Sequence, residues 1–324
     1  VLTVTSMIWG LATLGGPGYG ALFAEVGLWR GAFWSLAPLT IVFAFLVWRF
    51  VEGEDRRGGL SRLPFWRLVL LAMAVVLMSA TSLIQAIWLQ GILVIASIVM
   101  AVIAFVRDAR AERNMFPRQV TAVTTELGAL YGIFFSVSVV MAFFLTYTTF
   151  YLQALHGVTP VTAGYLFAIQ SFMWTGSALF VSTIRPSLEI VSIVFGLMLL
   201  LLASIGIAVT VDFGPVVLIA IFIGVSGAGI GFINNPAIQR IIAVAPEPEK
   251  QMAGTSVQAI RNIGVSFGAA AAGMVAASAG LIDGADRAII AFAMEWVFGA
   301  SFVVAAMALV IAIPLFVRRG GRNR

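Results

Sequence analysis

The sequence predicts an all-α integral membrane protein with about ten transmembrane helices, and three observations carry that prediction. The chain is 61% hydrophobic and 10% charged over 324 residues, with a mean hydropathy of +1.06, which lies outside the range of soluble domains. Apolar runs of about 20 residues, the length that crosses a hydrocarbon core of about 30 Å, recur along it. The runs are continuous rather than alternating, as expected of helices that satisfy their own backbone polar groups and not of barrel strands.

The runs fall at 1–24, 32–51, 66–85, 87–106, 126–154, 160–183, 187–210, 214–237, 252–278 and 288–317. Val1 already lies inside an apolar stretch, with no Met, basic n-region or cleavage-site pattern before it, so the chain is expected to begin within a longer protein. The first run carries Gly10, Gly15, Gly16, Pro17, Gly18 and Gly20. Small residues let helices approach closely and proline removes a hydrogen bond, which predicts a kinked, tightly packed helix. A packing seam and a bend governing access to a cavity both fit that pattern.

Later runs hold polar and aromatic residues on single faces. In the fifth, Tyr131, Phe135 and Ser138 lie within one arc, and in the sixth Gln170, Trp174 and Ser177 do. Such a wall suits hydrophobic or cationic organic ligands through apolar area and cation–π attraction, and equally suits plain packing. In the ninth, Gln258, Asn262 and Ser266 recur every four residues with Thr255 in the same arc, beside a seam of Gly264, Gly268 and Ala272. Polar groups at that depth face a cavity or another helix, so a substrate path and interhelical hydrogen bonding are the two readings. Arg261, nearer the seam, is a charge buried within a helix, read as a structural partner or a substrate contact. The run Gly227-Ala228-Gly229-Ile230-Gly231 lacks the spacing and the preceding strand of a nucleotide loop and reads as helix packing, with Asn234-Asn235-Pro236 ending that helix.

Basic residues set the orientation. One set of gaps and ends holds sixteen of them, from Arg49 to Arg324, and the alternate set holds two, Arg30 and Arg287. The gaps at 52–65, 107–125, 184–186 and 238–251 and the C-terminus are therefore expected in the cytoplasm. This reading excludes a nucleic-acid partner and leaves the lipid bilayer as the surroundings. Glu126 and Glu189 open helices where a carboxylate meets the N-terminus, while Glu25 and Glu295 lie near the outer ends of theirs. With no cysteine and the single histidine His156, no metal site or cofactor is expected. No catalytic cluster of an enzyme is visible, and the gaps are too short for a scaffold of soluble loops.

Gly16-Pro17-x-x-Gly20 followed by Trp29-Arg30 and Phe33 resembles the antiporter motif of the major facilitator superfamily. Tyr151-Leu152-Gln153 with Gly157 and Ala163-Gly164, and Gly254 with Arg261-x-x-Gly264-x-x-x-Gly268, resemble the fourteen-helix drug:proton antiporter branch, in the same order along the chain. Departures are Ala21 and Ala12 at positions where glycine is usual, and a gap at 183–187 without the acidic gating loop. The resemblance implies a bundle lacking its first four helices. Residues 1–51 would be the last two helices of the N-terminal bundle, 52–65 a cytoplasmic linker and 66–106 two extra central helices. A second linker would occupy 107–125, the C-terminal six-helix bundle 126–317, and a basic tail 318–324. It further implies proton-driven efflux of small organic compounds across a bacterial cytoplasmic membrane, with coupling carboxylates in the absent helices; uptake of a metabolite is the alternative, because the same cycle runs either way with the ion gradient. Substrate and protons would be the partners, and a monomer is among the assemblies compatible with this reading.

Overall fold

The computed structural model describes residues 26–50, 65–84, 86–111 and 114–315, with positions 12, 15, 16, 19, 20, 22 and 23. Pro17, Glu25, the linker at 52–64 and the basic tail lie outside the described residues. Every regular element described is helical, and the chain is an all-α, multi-pass membrane protein. Seven segments among the described residues are long and apolar enough to cross a membrane.

The helices are α1 Trp29–Trp34, α2 Leu36–Phe50, α3 Phe65–Ala80, α4 Ile87–Ala109, α5 Glu126–His156, α6 Pro160–Ser182, α7 Glu189–Thr210, α8 Val216–Val244, α9 Lys250–Ser278 and α10 Arg287–Ile311. Pro38 explains the break at Ser35: it has no N–H for the Trp34 carbonyl one turn earlier, so α1 and α2 form one span, Trp29–Phe50, with an interruption. No residue of that span is buried.

The third predicted run stops early. α3 ends at Ala80, and a 3₁₀ turn over Thr81–Leu83 leads into α4. The α3–α4 hairpin is tied by Ser97 Oγ donating to the Ala74 carbonyl at 2.6 Å and by an ion pair between Arg67 and Asp108. Asp108 also accepts from the backbone N–H groups of Met115 and Phe116, both at 2.9 Å. The segment expected as a linker at 107–125 is thus anchored: its first three residues finish α4, and Phe116 and Val120 are buried. The hairpin packs on α9, with Ser278 Oγ donating to Gln90 Oε1 at 3.1 Å.

Among α5 to α10, α5 packs mainly on α9 and α10 while α8 packs on α6 and α7, and α5 is buried along most of its length. Local signals set their ends. Thr125 caps α5 by accepting from the Gly128 N–H at 3.1 Å. Gly157 closes it with φ +63°, a left-handed conformation that disfavours residues with a Cβ. Thr159 then caps α6 ahead of Pro160 at its first position. Asp286 caps α10.

One expectation is corrected. Asn234-Asn235-Pro236 does not end a helix; α8 runs through Pro236 to Val244. Proline removes the donor that the Phe232 carbonyl would have received, and Ser192 Oγ of α7 donates to that carbonyl at 2.7 Å. A neighbouring helix thereby restores the bond and lets the proline stay inside the span.

Candidate functional site

The site is built on α9, whose two faces have different partners. Along one, Gly264 and Gly268 press into α5: a Cβ on Gly264 would lie 2.7 Å from Ser138 Cβ, and one on Gly268 2.7 Å from the Val139 carbonyl oxygen. Ala272, fully buried, continues the seam. About 120° round the helix, Gln258 and Asn262 are exposed and hydrogen-bonded to each other at 3.1 Å. Ser266 Oγ donates to the Asn262 carbonyl at 2.9 Å. Two uncharged amides on the open face of a spanning helix belong against water or protein rather than lipid.

Arg261 joins four helices. Its guanidinium donates to Asn234 Oδ1 of α8 and lies over the rings of Phe134 of α5 at 5.2 Å and Trp174 of α6 at 5.8 Å. The Asn234 amide in turn donates to Asn235 Oδ1 at 3.1 Å. Counted at 1.5 Å per residue, Arg261 stands about 17 Å along α9 from Lys250, near the middle of a core of about 30 Å. A shallow, open cleft lies here, with room for about one water molecule, walled by Phe134, Ser138, Met141, Trp174, Asn234 and Arg261 among others.

The other residues singled out from sequence take different places. Tyr131 is 1% exposed; its phenol donates to the Ala253 carbonyl and lies 2.8 Å from Ser256 Oγ, fastening α5 to α9. Phe135 is half-buried, edge-on to Phe267. Ser138 is buried, and its hydroxyl donates to the Phe134 carbonyl at 2.8 Å. Gln170 is buried and donates to Ser226 Oγ of α8 at 2.8 Å. It sits where Gly227 lets α6 and α8 touch, and Gly231 meets Ser177 and the Trp174 carbonyl in the same way. Of the proposed wall, Trp174 and Ser138 reach the cleft, while Tyr131 and Gln170 are closed into helix contacts. A Cβ added to Gly16 or Gly20 would meet nothing within 4 Å among the described residues.

Phe134 and Asn234 were missed as site residues. Their signal was present: an asparagine pair inside an apolar stretch that continues to Val244, and a phenylalanine one turn before Ser138. Glu126 opens α5 as expected, and it also meets Arg240 of α8 at 2.5 Å, with Glu189 of α7 3.7 Å from the same guanidinium. Three helix ends are joined there. At the other end, Arg287 donates to the Leu155 carbonyl and pairs with Asp212 at 3.0 Å, and His156 Nε2 lies 2.8 Å from the Val211 carbonyl. Among the described residues no three His, Cys, Asp or Glu side chains gather as a metal site requires.

A cation, two flanking rings and exposed amides are thus brought together near the middle of an all-α, multi-pass membrane protein. Known proteins extend this. The chain is 30% identical over 288 residues to the probable multidrug-efflux transporters of Mycobacterium tuberculosis strains CDC 1551 / Oshkosh and ATCC 25618 / H37Rv, matching 84% of this chain and 60% of each relative. It is 23% identical over 290 residues to the methylenomycin A resistance protein of Streptomyces coelicolor, over 88% of this chain and 61% of that protein. The chain spans about three-fifths of the length of these relatives. No family model matches it. The relatives are transporters and a resistance protein rather than enzymes.

Proposed function

We propose that this chain forms the larger part of a drug-efflux transporter that exports small organic compounds by alternating access, driven by the proton gradient. The observation that carries the reading is the similarity to multidrug-efflux transporters across 288 residues. The open polar face of α9 and the cleft at Arg261 supply its chemistry. In this reading Gln258, Asn262, Ser266, Trp174 and Ser138 line the substrate path, and Tyr131, Phe135 and Gln170 hold the helices that carry it. The six helices α5 to α10 form one bundle, α3 and α4 are two extra helices between the halves, and α1 with α2 belongs to the other bundle. Rocking of the two bundles opens the path to each side in turn. The fourteen-helix major facilitator branch, a C-terminus in the cytoplasm and a bacterial inner membrane belong to the same proposal, with proton-carrying carboxylates in the other bundle.

The test is drug movement in cells expressing the complete reading frame. A panel of fluorescent neutral, anionic and cationic compounds is loaded, and its loss is followed with and without a protonophore. Export that stops with the protonophore supports the reading. Retention of the whole panel, or faster accumulation than in control cells, contradicts efflux.

A further inference from the structure

We propose that the Arg261 cleft selects small apolar molecules bearing one anionic group, a carboxylate being the type case, over organic cations. This rests on the reading of the chain as a transporter and names the substrate class of its site.

The aromatic wall looks at first like a receptor for a cationic ligand. In the structure its cation is already in place: Arg261 lies over Phe134 and Trp174 at 5.2 and 5.8 Å. An incoming ammonium would compete for the same ring faces and meet a like charge at close range. The aromatic residues that favour cations in sequence therefore favour the opposite charge once the fold supplies its own.

Arg261 also has bonding capacity left over. A guanidinium carries five N–H donors in a planar fork. Asn234 Oδ1 accepts from one side of it, and among the described residues no other acceptor and no carboxylate pairs with it. By contrast Arg67, Arg240 and Arg287 each have an acidic partner. Arg261 is half-buried near mid-membrane and held in one orientation by Asn234 and the two rings. A fork so oriented, with no carboxylate partner among the described residues, is suited to donating paired hydrogen bonds to a carboxylate. Beside it Val137, Met141, Ile230 and Ile233 give the wall an apolar surface, and the Ser138 hydroxyl there is already engaged by the Phe134 carbonyl.

The probes are 2-naphthoate, its methyl ester and 2-naphthyltrimethylammonium, which share one ring system and differ in charge. Binding to the purified complete protein is measured by equilibrium dialysis, and movement is measured in proteoliposomes under an imposed pH gradient. The expected result is naphthoate bound at least tenfold more tightly than the ester or the ammonium. Arg261→Gln should bring naphthoate within about twofold of the ester, while Arg261→Lys, which keeps the charge, should retain a clear preference for the anion.

The proposal is overturned if the ammonium binds as tightly as the naphthoate, if wild type does not bind naphthoate, or if Arg261→Gln leaves the ratio unchanged. The last result would mean that Arg261 is neutralised by an acid elsewhere in the protein. Should Arg261→Gln fail to fold, the wild-type ratio and the Lys variant decide. The transport reading fails separately: selective binding of naphthoate with no movement of any probe supports the anion site and contradicts transport. Movement of the ammonium alone upholds transport and overturns the anion site.

Discussion

Gly268→Ala should separate α9 from α5 and weaken the protein, although alanine is the better helix former. The added Cβ would lie 2.7 Å from the Val139 carbonyl oxygen and 2.8 Å from both Val139 Cα and Ala142 Cβ. Carbon atoms pack best at about 3.5–4.0 Å, so the helices must part locally by about 0.7 Å. None of the atoms it meets is the far end of a flexible side chain, so the strain has no inexpensive outlet. Overpacking of this kind costs about 1–3 kcal/mol. The higher helix propensity of alanine returns at most about 1 kcal/mol. A net loss of about 1–2 kcal/mol lowers the melting temperature by roughly 2–3 °C for a chain of 324 residues. The assay is thermal aggregation of the detergent-solubilised complete protein, with Gly176→Ala as reference. A Cβ on Gly176 of α6 meets nothing within 4 Å, so that variant should be unchanged or slightly more stable. Equal melting temperatures for the two variants would refute the claim that the Gly264–Gly268 seam sets the position of α9, and with it the placement of Arg261 and Asn262.

Ser192→Ala leaves the Phe232 carbonyl without a donor beside Pro236 and should cost about 1 kcal/mol, in the range of measured interhelical hydrogen bonds. In a Pro236→Ala background, where the helix makes its own bond, the same change should cost much less; equal costs by thermal unfolding would refute the link. Arg240→Gln strands Glu126 and Glu189 at one end of the bundle and should cost about 1–3 kcal/mol, less in high salt because all three side chains are partly exposed. Adding Glu126→Gln should recover part of the loss, and strict additivity would show that the pair does not interact. A reporter fused after Gly320 should read cytoplasmic and one inserted near Asp283 external; the reverse would overturn the orientation drawn from the arginines.

Much of the architecture was legible because hydropathy reports spanning segments directly. Where the described residues cover them, the apolar runs coincide with helices to within a few residues, apart from α3 and α8. Both exceptions have local causes. The apolar run at 66–85 continues past Ala80, but the backbone turns there into a 3₁₀ segment that hydropathy does not register. At Pro236 the ordinary rule that proline stops a helix was overridden by Ser192, a donor on another helix 44 positions away in sequence, which no local pattern reveals. The same limit applies to the site. Periodicity found the amide stripe of α9 and its glycine seam, since both follow from the geometry of one helix. It did not find the partners of Arg261, because Phe134, Trp174 and Asn234 come from three other helices. Nor could it separate Tyr131 and Gln170, which close helix contacts, from Trp174, which reaches the cleft. The charge preference inferred from the rings lacked that information, and the proposed preference for anions follows from Arg261 lying among them.

If the polar face of α9 lines a water-filled path through the membrane, a thiol placed on it should be open to water-borne reagents. These 324 residues contain no cysteine, so Asn262→Cys introduces a single thiol into them, and its rate of reaction with a membrane-impermeant maleimide can be compared with that of Met198→Cys on α7. Met198 is also exposed, on an apolar helix. The thiol at 262 is expected to react at least tenfold faster than the thiol at 198 and to be protected by a transported compound. Equal, negligible reaction at the two positions would contradict the water-filled path and make the stripe a contact between helices.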